Sequence, residues 1–161
     1  MADVARKVSS RERVRSFLEA HGLAEGILEF DQSTKTAQMA ADAAGCELGQ
    51  IVKSLVFSVD GRPVVALVAG DRRGDADALA REMEGSSAAF ADAETVREAT
   101  GYAIGGVSPF DLPEGLPVLI DDSLERFDML YPAAGTPSSM VRLRRSELFA
   151  LVNGRVACIS H

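Results

Sequence analysis

Two stretches of the chain carry residue types suited to chemistry. The first is IVKSLVFSVDG, residues 51–61, where a lysine stands among large apolar residues. Side chains alternate along a strand, so Ile51, Lys53, Leu55, Phe57 and Val59 share one face. Lys53 either lays its methylenes along that face and carries its ammonium out to water, or points into a cleft as a fixed positive charge. The second stretch is AIGGVSPFDLPEG, residues 103–115. Paired glycines let backbone N–H groups approach a ligand closely, and a nest of amides holds a carbonyl oxygen or a phosphate. Pro109 stiffens the turn. The same composition also serves an ordinary surface loop, and these residues by themselves leave both readings open.

Other chemistry finds little material. His21 and His161 are the only histidines, a poor basis for a catalytic triad. Cys158 and His161 stand three apart, but a zinc site needs more ligands than that corner supplies. Ser54 adjoins Lys53, yet neighbours on a strand point to opposite faces, which argues against a Ser–Lys dyad. The chain has neither a phosphate-binding Walker loop nor the glycine fingerprint of a dinucleotide fold.

With 161 residues, 47% of them hydrophobic, the chain suits a single domain with a proper core. No window approaches a membrane span, and the polar start MADVARKVSSRERVR lacks the apolar segment of a secretory signal. Two distant cysteines, Cys46 and Cys158, suggest no disulfide scaffold, so a cytoplasmic location is expected. A formal charge of −7 disfavours bulk attraction to nucleic acid. Basic residues nevertheless cluster at Arg11, Arg13 and Arg15, at Arg72 and Arg73, and at Arg142, Arg144 and Arg145. Any nucleic-acid contact should be small and confined.

The elements that must position Lys53 and the glycine loop follow from caps and periodicity. Ser9 and Glu12 form a capping box before Val14, Phe17, Leu18 and His21, closed by Gly22. ILEF reads as a short strand. STKTAQMAADAAG reads as a helix started by Ser33 or Thr34 and stopped by Gly45. The strand from 51 and PVVALVA, residues 63–69, flank Asp60-Gly61, a hairpin signal; the second is apolar on both faces and should be central. Asp75 and Asp92 cap two further helices, the latter ending at Gly101. Regular structure fails from 101 to 117, where Gly, Pro and Ser are dense. PVLID, DMLY, MVRLR and RVACI read as strands, with a helix capped by Ser146 between the last two. Interleaved helices and strands with an antiparallel hairpin favour a mixed-sheet α/β fold.

Together TAQMAADAAGCELGQIVKSLVF, TGYAIGGVSPF and LPVLIDDSLERFDMLYPAAGT, in that order, resemble the YbaK family, the editing domain associated with prolyl-tRNA synthetase. The resemblance covers residues 27–160, with 1–26 as an amino-terminal helix, so that 1–161 forms one domain. It implies a mixed, barrel-like β-sheet surrounded by helices. It implies hydrolysis, without metal or other cofactor, of the ester joining a wrong amino acid to tRNA, chiefly tRNA(Pro). The family's strand lysine corresponds to Lys53, and its GxxxP loop to Gly105, Gly106, Val107, Ser108 and Pro109. Lys53, Gly105 and Gly106 are then expected to be catalytic, and Val107, Ser108, Pro109, Phe110, Gly135 and Met140 to bind substrate. Amides near Gly105 and Gly106 would stabilise the developing oxyanion, and Lys53 would hold the terminal adenosine through its phosphate.

Where relatives that remove cysteine or alanine carry Asp or His, this sequence has Met140, which suits a small aliphatic amino acid. Asp111 also departs from the glycine of many relatives. Met140, Arg142 and Arg144 would share one strand face, and Arg142 or Arg144 would either meet acceptor-stem phosphate or face solvent. Without a synthetase body the chain would act in trans, as a monomer, on the acceptor end of mischarged tRNA, with prolyl-tRNA synthetase a possible partner and no membrane association. The rival readings are a non-catalytic module that binds an aminoacyl-tRNA end or a nucleotide, and a structural partner of a synthetase.

Overall fold

A computed structural model describes residues 8–34 and 36–161. Residues 1–7 of the expected amino-terminal segment, and Lys35 within the expected STKT helix start, lie outside the described residues.

The chain enters through α1 (Ser10–Ala20), where the Ser9 hydroxyl accepts the Glu12 N–H at 3.2 Å. Its apolar stripe buries Val14 and Leu18 completely, each contributing about 1.5–3 kcal/mol of transfer free energy. After β1 (Ile27–Glu29), α2 runs over Ala37–Ala44. Its cap is Thr36, whose hydroxyl accepts from the Met39 N–H, rather than Ser33 or Thr34. Gly45 closes it in the left-handed conformation.

Strands β2 (Ile51–Val59) and β3 (Arg62–Ala69) form the expected hairpin. Asp60 and Gly61 have φ of 49° and 82°, the two positive values that a type I′ turn requires. Next come α3 (Ala76–Glu82), β4 (Ala88–Phe90) and α4 (Ala93–Thr100), with Asp75 and Asp92 as caps. An irregular stretch leads to β5 (Val118–Asp121) and β6 (Met129–Pro132).

MVRLR is not one strand. Ser139–Val141 form β7, which pairs with β1, while Leu143–Arg144 form β8, which pairs with β6. The break at Arg142, whose N–H donates to the Gly26 carbonyl at 2.8 Å, separates Met140 from Arg144. Met140 is buried while Arg142 and Arg144 are exposed, so no shared face exists. The last helix, α5 (Arg145–Leu151), begins after Arg144, whose N–H donates to Glu147 at 2.9 Å; Ser146 lies inside it. The chain ends through β9 (Arg155–Ala157).

The main sheet has the order β8-β6-β2-β3-β5-β9, with β4 also on β2. It is the mixed, half-barrel sheet flanked by helices that the family resemblance implied, and β3 is central. Alternation assigns its faces. Val52, Val56, Val65 and Leu67 pack with α1, Tyr102, Phe110 and Leu148, while Phe57, Val59, Val64 and Val68 pack with Leu79, Leu119 and Ile159.

Candidate active site

Strand β2 has β3 along the whole of one edge and two short partners along the other. Parallel β6 covers Ile51 and Val52, and antiparallel β4 covers Phe57 to Val59. Residues 53–56 have no strand partner on that second edge. A cavity of about 360 Å³ opens there, within the range of small-ligand sites. All six consecutive residues 51–56 line it. Alternating side chains cannot produce that pattern; an exposed strand edge can.

Lys53 and Gly105 line this same cavity, as do Val107 and Met140. Lys53 is half-buried, and its Nζ donates to the Arg72 carbonyl rather than to Ser54. Burial, and then the Arg73 charge, hold its pKa below the ordinary lysine value, while Asp71 pulls the other way. Ser54 lines the cavity too, as a residue of an exposed strand edge can without its side chain sharing a face with Lys53. No dyad forms, because the Ser54 hydroxyl has no hydrogen-bond partner.

The glycine loop makes a tight turn, with the Gly106 N–H donating to the Ala103 carbonyl at 3.0 Å. Gly105 has φ of +85°, which position i+2 of a type II turn demands. Gly106 is buried behind the turn with its amide already committed. The Gly105 amide, like those of Ile104 and Val107, makes no hydrogen bond among the described residues, and Gly105 is the exposed glycine of the turn.

Several expected contacts lie elsewhere. Ser108, Pro109 and Phe110 do not line the cavity; they anchor the loop from beneath. The Ser108 hydroxyl accepts from the Phe110 N–H at 3.3 Å, and Tyr102 donates to the Phe110 carbonyl at 2.6 Å. Phe110 is 1% exposed, its ring 5.7 Å from that of Phe17. Asp111, the departure from glycine, pairs with Arg13 at 2.9 Å and is not part of the lining. Gly135 is also absent from the lining. It has φ of +91°, and a Cβ there would sit 2.6 Å from the Ser10 carbonyl. Gly135→Ala should therefore lower stability by more than about 1 kcal/mol, measured by urea unfolding, without a selective rise in KM.

The loop that receives Lys53 is pinned from several sides. Asp71 makes a two-pronged ion pair with Arg126 at 2.7 and 2.9 Å. Arg72 Nε donates to the Ser160 hydroxyl at 3.2 Å, and that hydroxyl donates to buried Asp121 at 2.7 Å. Arg73 and His161 exchange backbone hydrogen bonds of 2.8 and 2.9 Å. Burial pushes the Asp121 carboxyl up, but hydrogen bonds from Ser123, Ser160 and Ile159 outweigh it and hold the pKa below the usual value. Stability from such a group is fully present above the unfolded value of about 3.9 and is lost as pH falls through the folded one. Asp121→Asn should flatten that acid limb of unfolding free energy against pH.

Phe90, Ile104, Tyr131, Thr136 and Ser139 complete walls that the sequence reading missed. Phe90 and Ile104 are exposed apolar side chains, and no local pattern marks any of the five. Among the described lining residues Lys53 alone is charged, and the described residues hold no cluster of potential metal ligands. No helix among them is long and apolar enough to cross a membrane.

The fold is a curled mixed α/β sheet with a small cavity on which, among the described residues, Lys53 is the one charged side chain. The chain belongs to the family described as "Aminoacyl-tRNA editing domain", which it matches over residues 31–151. It is 36% identical over 140 residues to the uncharacterized protein YwhH of Bacillus subtilis, covering 86% of this chain and 88% of that one. It is 28% identical over 152 residues to the multifunctional Ser/Thr-tRNA deacylase ProXp-y of Escherichia coli, covering 91% and 90%. A crystal structure described as a candidate trans-editing enzyme for prolyl tRNA synthetase superposes with a TM-score of 0.86. That match has 39% identity over 96% of this chain and 99% of the other.

Proposed function

We propose that this protein is an aminoacyl-tRNA deacylase that acts in trans, hydrolysing the ester of a small non-cognate amino acid on tRNA, with tRNA(Pro) the foremost substrate. The observation that carries the reading is the meeting of Lys53 and Gly105 on one cavity, on top of family membership. Water adds to the ester carbonyl carbon and gives up one proton, the carbonyl oxygen becomes an oxyanion, and collapse expels the ribose oxygen, which takes up that proton as the free amino acid leaves. The Gly105 amide is the donor that faces the developing oxyanion. Lys53, brought beside Arg72 and Arg73 by the fold, meets phosphate at the acceptor end and fixes the ester for attack.

The apolar Met140, Ala37 and Ala40 and the hydroxyls of Thr136 and Ser139 in the lining suit a small side chain of the size of alanine, serine or threonine. Action in trans is supported by the near-complete mutual coverage with the candidate trans-editing enzyme. The test is to incubate the protein with tRNA(Pro) carrying alanine, 2-aminobutyrate, serine, threonine, cysteine or proline and to follow ester loss. Release of a non-cognate amino acid with proline spared supports the reading; binding without release of any of them overturns it in favour of a non-catalytic module.

A further inference from the structure

The open edge of β2 presents a specific pair of backbone groups. Partners in an antiparallel ladder alternate between residues that exchange hydrogen bonds and residues that do not. The Gly70 N–H donates to the Ile51 carbonyl at 2.8 Å, which turns the backbone groups of Lys53 and Leu55 toward β3 and those of Ser54 and Val56 toward the cavity side. The Ala91 N–H, donating to the Val56 carbonyl at 3.0 Å, agrees with that phase. Ser54 falls in the gap between β6 and β4, so its N–H and C=O have no partner among the described residues. Its hydroxyl is buried and also unpartnered. Polar groups of a folded chain seldom stay unpaired together on one residue.

Resting on the deacylase reading, we propose that the Ser54 edge seats the aminoacyl group as a one-residue antiparallel strand. The α-ammonium donates to the Ser54 carbonyl oxygen, and the ester carbonyl accepts from the Ser54 N–H through one lone pair, leaving the other for the Gly105 amide. An α-aminoacyl ester carries donor and acceptor on one carbon, as a chain residue does, so it matches both groups at once. Charge supports the assignment. No described lining residue is a carboxylate and Lys53 is cationic, so the ammonium requires a neutral acceptor, which the free carbonyl of Ser54 supplies. Recognition of this kind reads the α-amino ester itself and leaves the side-chain walls to discriminate.

The test removes each partner in turn. The aminoacyl-tRNA that the wild-type protein hydrolyses fastest is compared with its desamino counterpart, propionyl-tRNA in the case of alanyl-tRNA, each rate being divided by the spontaneous hydrolysis of the same ester. Separately, the Ser54 amide is replaced by an ester through its α-hydroxy analogue, glyceric acid, which deletes the N–H and keeps the side chain. The expected loss in kcat/KM is about 10- to 100-fold in each case. The melting temperature of the Ser54 ester protein should fall, because its Lys53 carbonyl becomes a weaker acceptor toward β3, but by less than for an ester that deletes an N–H bonded to β3. The same exchange at Leu55, whose N–H faces β3, should lower the melting temperature more. Full turnover by the Ser54 ester protein, or equal normalised rates for the two acyl groups, overturns the proposal while the deacylase reading stands. A wild-type protein inactive on every mischarged tRNA sinks that reading first.

Discussion

Lys53→Ala should reduce deacylation by about 100-fold or more, the scale expected when a group that fixes a reacting ester in place is removed, with the melting temperature nearly preserved. The fold loses little because the lysine is only half-buried and its ammonium donates to the Arg72 carbonyl of an exposed loop. The surrounding loop keeps its own anchors at Arg126, Ser160 and His161. Lys53→Met, which keeps the methylenes and deletes the charge, should behave like alanine if the ammonium is what counts. Wild-type kcat/KM, corrected for spontaneous hydrolysis, should fall as pH rises through the lowered lysine pKa, earlier than for an ordinary lysine, because the neutral amine no longer attracts phosphate. A variant retaining most of its turnover would remove Lys53 from the site.

The second large effect concerns Gly105. Its φ of +85° costs an L-residue about 1–2 kcal/mol, and a Cβ there would meet nothing within 4 Å. Substitution therefore acts through the backbone rather than through a clash. Deacylation should decline in the order Gly, Asn, Ala, Val, because asparagine tolerates positive φ best and a β-branched residue worst. Gly105→Val should lose about 100-fold in kcat, comparable to the loss of one oxyanion donor, as the turn reopens and the amide swings away. Kinetics on one mischarged tRNA, alongside thermal unfolding, check it. Equal kcat across the series would show that the amide does not act at the reacting carbonyl.

Much of the architecture was legible because its causes are local. Asp75, Asp92, Gly45 and Gly101 cap or stop helices through groups within four residues. Asp60-Gly61 specifies its hairpin through two dihedral angles. The apolar run of β3 could only be central. Local signals misled where tertiary pairing competed with them. Ser33 and Thr34 are plausible caps, yet Thr36 takes the role. MVRLR alternates like one strand, yet divides between two partners at Arg142. Ser108, Pro109 and Phe110 share a motif with Gly105, but only the glycine and Val107 reach the cavity.

What the sequence by itself determined is the set of elements, the mixed α/β class and the presence of a lone cation and a glycine turn, since each depends on neighbours along the chain. It also carried the family resemblance that membership bears out. The cavity was decided only by the tertiary structure. Ser54 stands on an open edge because β4 and β6 pair with β2 at its two ends and stop short of each other, and the lengths of three separate strands settle that gap. Backbone donors and acceptors are the same for every residue, so their availability is written in the pairing and not in the side chains.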